Sequence, residues 1–163
     1  MTQAAPLTGI NGQAPVVGAS ELEIAAAPET VWDVLTAIDR WPSWNPDVKS
    51  MSLEGPLGAG SVFRWKAGSG TITSTIRRVE PPQLIAWTGR TLGIDAIHVY
   101  RLEPRDGGTF VRTDESYEGL VARLLRGSLQ KTLDRALADG LRYLKDEAEQ
   151  RSAAEAATKG GLT

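Results

Sequence analysis

One histidine and one glutamate are the residues best suited to acid–base chemistry. His98 is the only histidine in the 163-residue chain, and it lies in an alternating stretch, Ile94 to Glu103, that predicts a strand. A second such stretch, Thr109 to Glu118, follows after Pro-Arg-Asp-Gly-Gly. If the Asp-Gly pair forms a two-residue hairpin turn, His98 lies opposite Glu115 with their Cβ atoms about 5 Å apart. Such a pair could exchange a proton with a bound carbonyl compound.

The same register divides the neighbouring side chains between two faces of the hairpin. It pairs Arg105 with Gly108, Leu102 with Val111, Tyr100 with Thr113, and Ala96 with Tyr117. Successive residues of a strand point to opposite faces, so a one-residue slip would exchange the two sets. One face carries no lysine or arginine, and we expect it to line an apolar interior. It holds Ala96, His98, Tyr100, Leu102, Val111, Thr113, Glu115 and Tyr117. The opposite face holds Asp95, Ile97, Val99, Arg101, Phe110, Arg112 and Asp114.

Three interpretations of the pair stay open on the sequence alone. In a catalytic role, the Glu115 carboxylate would orient the His98 imidazole and favour its protonated form, while Tyr100 and Tyr117 would donate hydrogen bonds to an enolate or phenol oxygen. In a binding role, the pair would orient the polar end of a ligand. In a structural role, the two groups would satisfy each other and fix the hairpin register.

Aromatic residues on earlier predicted strands extend the apolar face. Phe63 and Trp65 share one side of a strand while the adjacent cations share the other, and the same alternation groups Ile85 with Trp87. Trp41 and Trp44 lie in a short turn beside prolines, where they either form a rim that closes over a ligand or lock a helix corner onto the sheet. The predicted ligand-binding residues are Trp44, Phe63, Trp65, Ile76, Trp87, His98, Tyr100, Thr113, Glu115, Tyr117, Leu125, Leu129 and Leu133.

The stretch from Gly119 to about Arg151 predicts a long amphipathic helix. Its leucines recur at helical spacing on one stripe, and most charged residues fall off that stripe. At ~1.5 Å per residue the helix would be on the order of 45 Å long, so a broad surface has to cover it. Core packing is favoured over a coiled coil because Gly127 and Gly140 interrupt the stripe, and these glycines indicate either a bend or a close approach.

The rest of the chain predicts one domain between two flexible ends. Residues 1–18 would form a flexible leader, residues 19–151 the domain, and residues 152–163 a flexible tail. A strand from Ser20 to Ala26 precedes two short helices and six further strands separated by turn sequences. The predicted fold class is α+β, a helix-grip arrangement. Its curved antiparallel seven-stranded sheet would wrap around the long C-terminal helix, with two short helices after strand 1.

Composition narrows the classes of function. The absence of cysteine excludes disulfides and thiolate metal sites, and we expect no metal and no other cofactor. A net charge of −2 with interleaved signs gives no indication of nucleic-acid binding. No apolar stretch approaches the ~18 residues of a membrane span, and the first residues lack the pattern of a signal peptide. We therefore expect a cytoplasmic protein without an integral membrane segment, and the oligomeric state is left open.

The order of elements resembles the START-like helix-grip superfamily, which includes the birch-pollen-allergen fold and the polyketide cyclase/dehydrase and lipid-transport families. The motifs that carry this resemblance are Ala27-Pro28-Glu29-Thr30-Val31-Trp32, Trp41-Pro42-Ser43-Trp44-Asn45-Pro46, the turn from Glu80 to Pro82 followed by Trp87, and Leu102-Glu103-Pro104 with Gly107-Gly108-Thr109 before the long helix. The resemblance covers about residues 20–151. It implies a cavity between the concave sheet and the long helix that holds a mostly apolar ligand.

Three functions follow from this resemblance, and we carry all of them forward. The first is binding of a hydrophobic small molecule, such as a polyketide, a lipid or another aromatic metabolite. The second is a cofactor-independent polyketide cyclase or dehydratase in which His98, held by Glu115, moves a proton. The third is a protein-interaction module whose interior is filled by large side chains.

Overall fold

A computed structural model of the chain describes residues 7–161. In this part of the chain, seven strands form one antiparallel sheet in the order β1-β7-β6-β5-β4-β3-β2. The strands are β1 Val16–Ile24, β2 Val48–Glu54, β3 Val62–Ala67, β4 Gly70–Glu80, β5 Leu84–Thr91, β6 Ile94–Arg105 and β7 Gly108–Glu118. With the long C-terminal helix against this sheet and short helices after β1, the predicted α+β helix-grip fold is confirmed.

The helices within residues 7–161 are α1 Pro28–Thr36, a 3-10 turn Ile38–Arg40, α2 Trp41–Trp44, α3 Leu120–Leu124 and α4 Arg126–Gly160. Helix α1 begins at Pro28, which has no N–H to leave unpaired, and Glu29 complements the positive helix end. Within the described range, no helix combines the length and the apolarity that a membrane span needs.

The predicted single C-terminal helix is interrupted near its start. At Leu125 a φ of −107° and a ψ of 23° separate α3 from α4. The chain enters α3 through Gly119, whose φ of 106° and close approach to the Gly93 carbonyl leave no room for a Cβ. This fixed entry lets Ala122 of α3 reach the core, and the break then lets α4 take its own direction along β1.

The two ends of the domain also differ from the predicted element bounds. Strand β1 begins at Val16 rather than Ser20, because Val16 pairs with Tyr117 of β7. Before it, the Asn11 N–H donates to the Ser116 hydroxyl over 3.2 Å. Helix α4 runs past the predicted end near Arg151 to Gly160, through alanine-rich sequence that favours a helix. Whether residues 1–18 and 152–163 are flexible stays a prediction, and residues 1–6 and 162–163 lie outside the described range.

Strands β6 and β7 have the predicted register. His98 pairs with Glu115, Tyr100 with Thr113, Leu102 with Val111, Ala96 with Tyr117, and Arg105 with Gly108. Leu102, Val111 and Thr113 are buried, as is His98, so the face assigned to the interior does point inward. The turn residue Gly107 has a φ of 75°, a left-handed value that glycine adopts readily.

Helix α4 lies along β1, the edge strand of the sheet. On the side of β1 away from β7, no other strand of residues 7–161 pairs with it. There, three side chains of α4 bind backbone groups of β1 and of Ala25, the residue after it. Gln130 donates to the Val17 carbonyl over 2.8 Å, Lys145 donates to the Glu23 carbonyl over 2.8 Å, and Glu149 accepts from the Ala25 N–H over 2.8 Å. The helix therefore covers a strand edge that would otherwise be open to pairing with another chain.

The apolar interior is divided into two clusters of buried residues. The larger cluster joins α1, α2 and the second half of α4 to the sheet, and it includes Leu35, Trp41, Phe63 and Trp87. The smaller cluster joins Val16 and Ala122 to Leu133 and Leu137 in the first half of α4, with Leu129 and Tyr117 packed against it. The inner face of β6 and β7 runs between the two clusters.

Two glycines should respond in opposite ways to added side-chain volume. A Cβ at Gly18 of β1 would lie 3.0 Å from side-chain atoms of Leu133 and Leu137, whereas a Cβ at Gly140 of α4 would meet nothing within 4 Å. The close approach that Gly127 and Gly140 suggested is therefore found at Gly18 instead. We expect Gly18→Val to lower the free energy of unfolding by about 1–3 kcal/mol.

Gly140→Ala is the matched control on the other side of the same contact. The added methyl group lowers the conformational entropy of the unfolded chain and meets no neighbour in the folded one. We therefore expect the free energy of unfolding to rise by about 1 kcal/mol and the melting temperature by about 2–4 °C. Thermal unfolding followed by circular dichroism measures both changes. Equal melting temperatures for the two variants would contradict the close contact between β1 and α4.

Candidate functional site

A row of polar side chains crosses the inner face of the sheet between the two apolar clusters. Glu115 of β7 and His98 of β6 face each other, with 3.3 Å between the carboxyl Oε2 and the imidazole Nδ1. The other ring nitrogen of His98, Nε2, lies 2.7 Å from the hydroxyl Oγ1 of Thr113. Both imidazole nitrogens therefore have a partner, and the ring is held in one orientation.

Aromatic rings pack around the histidine on the side away from Glu115. The imidazole centroid lies 4.7 Å from that of Trp87 and 4.8 Å from that of Tyr100, and the Tyr100 ring is stacked on the imidazole. Beyond Trp87 the row of rings continues through Trp41 and Phe63. The polar pair thus has an apolar wall on one side and α4 with β1 on the other.

Burial decides the charge state of the pair. Only about a tenth of each side chain is exposed, at 11% for His98 and 13% for Glu115. Loss of hydration lowers the pKa of His98 to about 3 and raises the pKa of Glu115 to about 8. Near neutral pH the pair is therefore a carboxylic acid beside a neutral imidazole. The expected protonated imidazole is not the favoured form, because desolvation outweighs attraction by the carboxylate.

The neutral pair has a consistent order of donors and acceptors. The Glu115 carboxylic acid can donate to Nδ1, which leaves Nε2 with a hydrogen that it donates to Thr113. Burial, together with the nearby Glu115, also raises the pKa of Tyr117, and burial raises that of Tyr100 although the Thr113 hydroxyl partly offsets it. Both phenols therefore stay protonated and remain able to donate a hydrogen bond.

The structure gathers most of the predicted ligand-binding residues on the inner face. His98, Tyr100, Thr113, Glu115 and Tyr117 lie next to one another on β6 and β7. The remaining strand residues that were predicted, together with Trp44, belong to the larger cluster or pack against it: Phe63, Trp65, Ile76 and Trp87. Leu129 and Leu133 belong to the smaller cluster or pack against it. Leu125 lies apart from these groups at the junction of α3 and α4, with 53% of its surface exposed.

The tryptophans of α2 illustrate both interpretations of their turn. Trp41 is buried, and its indole N–H donates to the Leu35 carbonyl over 2.9 Å, which is a packing role. Trp44 is partly exposed, and its buried indole nitrogen has no hydrogen-bond partner among residues 7–161. A buried donor without a partner is uncommon, so Trp44 stays a predicted ligand contact.

Large side chains fill much of the space between the sheet and the helices. Trp41, Phe63 and Trp87 meet at centroid distances between 5.7 and 5.9 Å and occupy the region over β3 and β5. Two surface hollows lie elsewhere, one lined by Arg64 and its neighbours on β2 to β4 and one beside Arg112 on β1 and β7. The inner face is still partly open near β7, because Glu115, Tyr117 and Leu129 keep some exposed surface.

Two residues that shape this site are not among the predicted ligand-binding residues. Trp41, for which both a ligand contact and packing stayed open, is central to the ring cluster. Gly18 brings α4 against β1, and its signal was a glycine inside an apolar strand sequence, which often marks a close approach. In residues 7–161 no three histidine, aspartate or glutamate side chains come together as a metal site.

A family profile described as "Polyketide cyclase / dehydrase and lipid transport" matches residues 17–149. The chain belongs to this family. The predicted resemblance to START-like helix-grip proteins is thereby confirmed, and the match spans β1 through most of α4. The search of curated protein sequences found no match to this chain.

Solved structures with the same fold are distant in sequence. The protein TTHA0849 from Thermus thermophilus has 19% identity and a TM-score of 0.73, over 83% of this chain and 99% of that one. The di-domain ARO/CYC protein StfQ of the steffimycin biosynthetic pathway has 19% identity and a TM-score of 0.72, over 85% and 53%. An aromatase/cyclase from a Streptomyces species has 18% identity and a TM-score of 0.70, over 83% and 94%. At identities below 20%, these similarities show that this chain has the same fold as those proteins.

The buried pair predicts a pH dependence of stability with two opposite limbs. Between the ordinary Glu pKa of 4.5 and the folded value of about 8, unfolding releases a proton from Glu115, so rising pH favours the unfolded chain. Between the folded His98 value of about 3 and the ordinary 6.5, unfolding takes up a proton, so falling pH favours the unfolded chain. Relative to Glu115→Gln, the wild-type protein should lose stability as the pH rises from about 5 to about 8.

Urea unfolding of the wild-type protein and of Glu115→Gln between about pH 5 and pH 8 measures the difference in their free energies of unfolding. Glu155→Gln, on the exposed last turns of α4, controls for the loss of a surface carboxyl. A constant difference between wild type and Glu115→Gln over the whole range would mean that Glu115 is already ionised in the folded protein.

Proposed function

We propose that this protein binds an apolar, ring-containing small molecule against the inner face of β6 and β7, beside α4. The observation that supports the proposal is the polar row itself. His98, Glu115 and Thr113 lie in the seam between two apolar clusters, where a folding core needs no polar groups. A ligand whose polar end meets this row and whose rings meet the clusters gives these groups a function beyond packing.

The partly open side of the seam favours ligand binding over a purely structural role. Tyr117 packs against the smaller cluster without being sealed by it, and Glu115 retains exposed surface beside it. The helical repeat of α4 puts Ala136 and Gly140 on the flank that faces away from the covered edge of β1. Both have little side-chain volume and are at least partly exposed, so they would offer little hindrance to a ligand on that flank.

The chemistry of the row defines the ligand class. Near neutral pH it offers hydrogen-bond donors from two phenols, while the Glu115 carboxylic acid donates to His98, and it presents no positive charge, since His98 is neutral. A carbonyl or phenol oxygen is the matching acceptor, whereas a carboxylate would have no cation to pair with. We therefore favour a neutral oxygenated aromatic or polyketide-like molecule over a free fatty acid.

The melting temperature of the purified protein against aromatic polyketides, flavonoids, sterols and fatty acids tests this proposal. A ligand present at about 100 times its dissociation constant raises the free energy of unfolding by about 2.7 kcal/mol. For a chain of this size, that corresponds to a rise in melting temperature of about 5–10 °C. We expect a shift with neutral oxygenated aromatics and a smaller one with fatty acids. If no compound class shifts the melting temperature, the protein-interaction alternative gains support from the ring-filled interior.

The phenol of Tyr117 can be tested separately. Tyr117→Phe removes one hydrogen-bond donor from the seam and leaves the ring in place. For a ligand that raises the melting temperature, we therefore expect a dissociation constant about five to ten times larger. Tyr143→Phe is the matched control, because Tyr143 lies on α4 outside both apolar clusters. Equal losses in the two variants, measured by calorimetric titration, would argue against a ligand at the row.

A second candidate function is a cyclase or dehydratase that uses the same seam. The buried pair favours it: when Glu115 is ionised, its carboxylate accepts the Nδ1 hydrogen of His98. Nε2 can then take a proton from the carbon next to a carbonyl group, in place of its contact with Thr113, while a phenol donates a hydrogen bond to the enolate oxygen. Two of the structural neighbours are named as aromatase/cyclases. In this case His98→Gln should abolish turnover of a polyketide substrate while its dissociation constant changes little. Unchanged turnover would remove His98 from the mechanism and leave the binding proposal intact.

A further inference from the structure

The large apolar side chains that are exposed in residues 7–161 all lie at one end of the molecule. They are Leu92, Leu120, Leu124 and Leu125, with exposed fractions of 76%, 70%, 73% and 53%. We call this group the leucine tip. Leu92 lies in the β5–β6 turn, which adjoins α3, because a Cβ at Gly93 would lie 3.2 Å from the Val121 side chain. Exposed leucines gathered in one place mark a surface that contacts something else.

The backbone of Leu92 gives a second, independent indication. Leu92 and Gly93 are the two central residues of the turn between Thr91 and Ile94, with φ values of 43° and 75°. Turns of this kind favour asparagine or glycine at the first position, since a leucine there is strained. Leu92 is the only non-glycine residue with a positive φ in the described part of the chain. Its side chain approaches Gly70 but is 76% exposed, so packing within the fold offsets little of the strain, and an external contact would account for the leucine.

Positive charges surround the leucine tip. Arg123 and Arg126 flank Leu124 and Leu125. Leu92 adjoins Gly70 at the β3–β4 turn; Lys49 donates to the Gly68 carbonyl of that turn, and Lys66 lies in β3 two residues before it. Among residues 7–161, none of these four cations has a carboxylate within ion-pairing distance. This contrasts with the net charge of −2 of the whole chain. Leucines ringed by unpaired cations match the interface of an anionic bilayer, where side chains enter the acyl boundary and cations meet the headgroups.

We infer that the leucine tip docks on the surface of an anionic phospholipid membrane. Leu92, Leu124 and Leu125 insert between lipids, and the four cations bind the phosphate groups. The tip lies at the same end of β7 as Tyr117, so docking would bring the proposed ligand seam next to an apolar reservoir. The inference itself does not rest on that seam, because vesicle binding can be measured without any ligand.

The test is co-sedimentation of the full chain with vesicles of phosphatidylcholine alone or mixed with phosphatidylglycerol. We expect binding to the mixed vesicles that weakens with added salt, and little binding to pure phosphatidylcholine. Leu92→Asn creates the favoured Asn-Gly turn, so it should raise the melting temperature and yet weaken vesicle binding by about tenfold or more. A merely structural role for Leu92 cannot produce those two changes together.

Two further variants complete the design. Lys66→Gln should weaken binding to the mixed vesicles, whereas Lys159→Gln, an exposed cation at the far end of α4, should leave it unchanged. The inference is overturned if wild-type protein does not sediment with mixed vesicles, or if Leu92→Asn binds them as well as wild type. It is also overturned if the leucine tip instead joins two copies of the chain, seen as a dimer by light scattering that Leu92→Asn converts to a monomer.

Discussion

The attachment of α4 to the edge strand β1 is the contact on which the rest of the site depends. Gly18 lets Leu133 and Leu137 approach the strand, and Gln130 binds the backbone of Val17. Leucines of the second half of α4 pack near Leu102 and Val111 in the larger cluster, and those of its first half pack near Tyr117 in the smaller one. The polar side chains of His98, Thr113 and Glu115 lie on the same face between these two contacts.

Burying those polar side chains is tolerable only in a neutral form. A charged His98 and Glu115 pair would lose much of its hydration and regain only part of it through one contact of 3.3 Å. Keeping the proton on the carboxyl group removes both charges and still satisfies both imidazole nitrogens through Glu115 and Thr113. Such a site can recognise or move a proton without the attraction for ions that a charged pocket would have. Its selectivity rests on hydrogen-bond donors and on ring packing.

The sequence was sufficient for the fold and for the central pairing of the site. Alternation along β6 and β7, together with one Asp-Gly turn, placed His98 opposite Glu115 without any long-range information. The break at Leu125 could not be read from the leucine stripe, because it depends on how Gly119 meets Gly93 across two elements. The pKa shifts were equally out of reach, since they depend on how completely neighbouring elements remove water. Local sequence patterns determine which face of a strand a side chain occupies and how two strands pair. How deeply that side chain is buried depends on all the elements that pack around it.

The pairing of β1 with β7 also has a consequence for how the chain folds. Within residues 7–161, the first strand pairs with the last strand alone, and backbone groups on its other edge bind side chains of α4. During synthesis β1 emerges early and has no partner until nearly the whole domain has left the ribosome. Contacts of such long sequence separation slow folding, so completion of the sheet and docking of the helix should form one late, cooperative event. An exposed early strand of this kind is also where a chaperone would find the nascent chain most accessible.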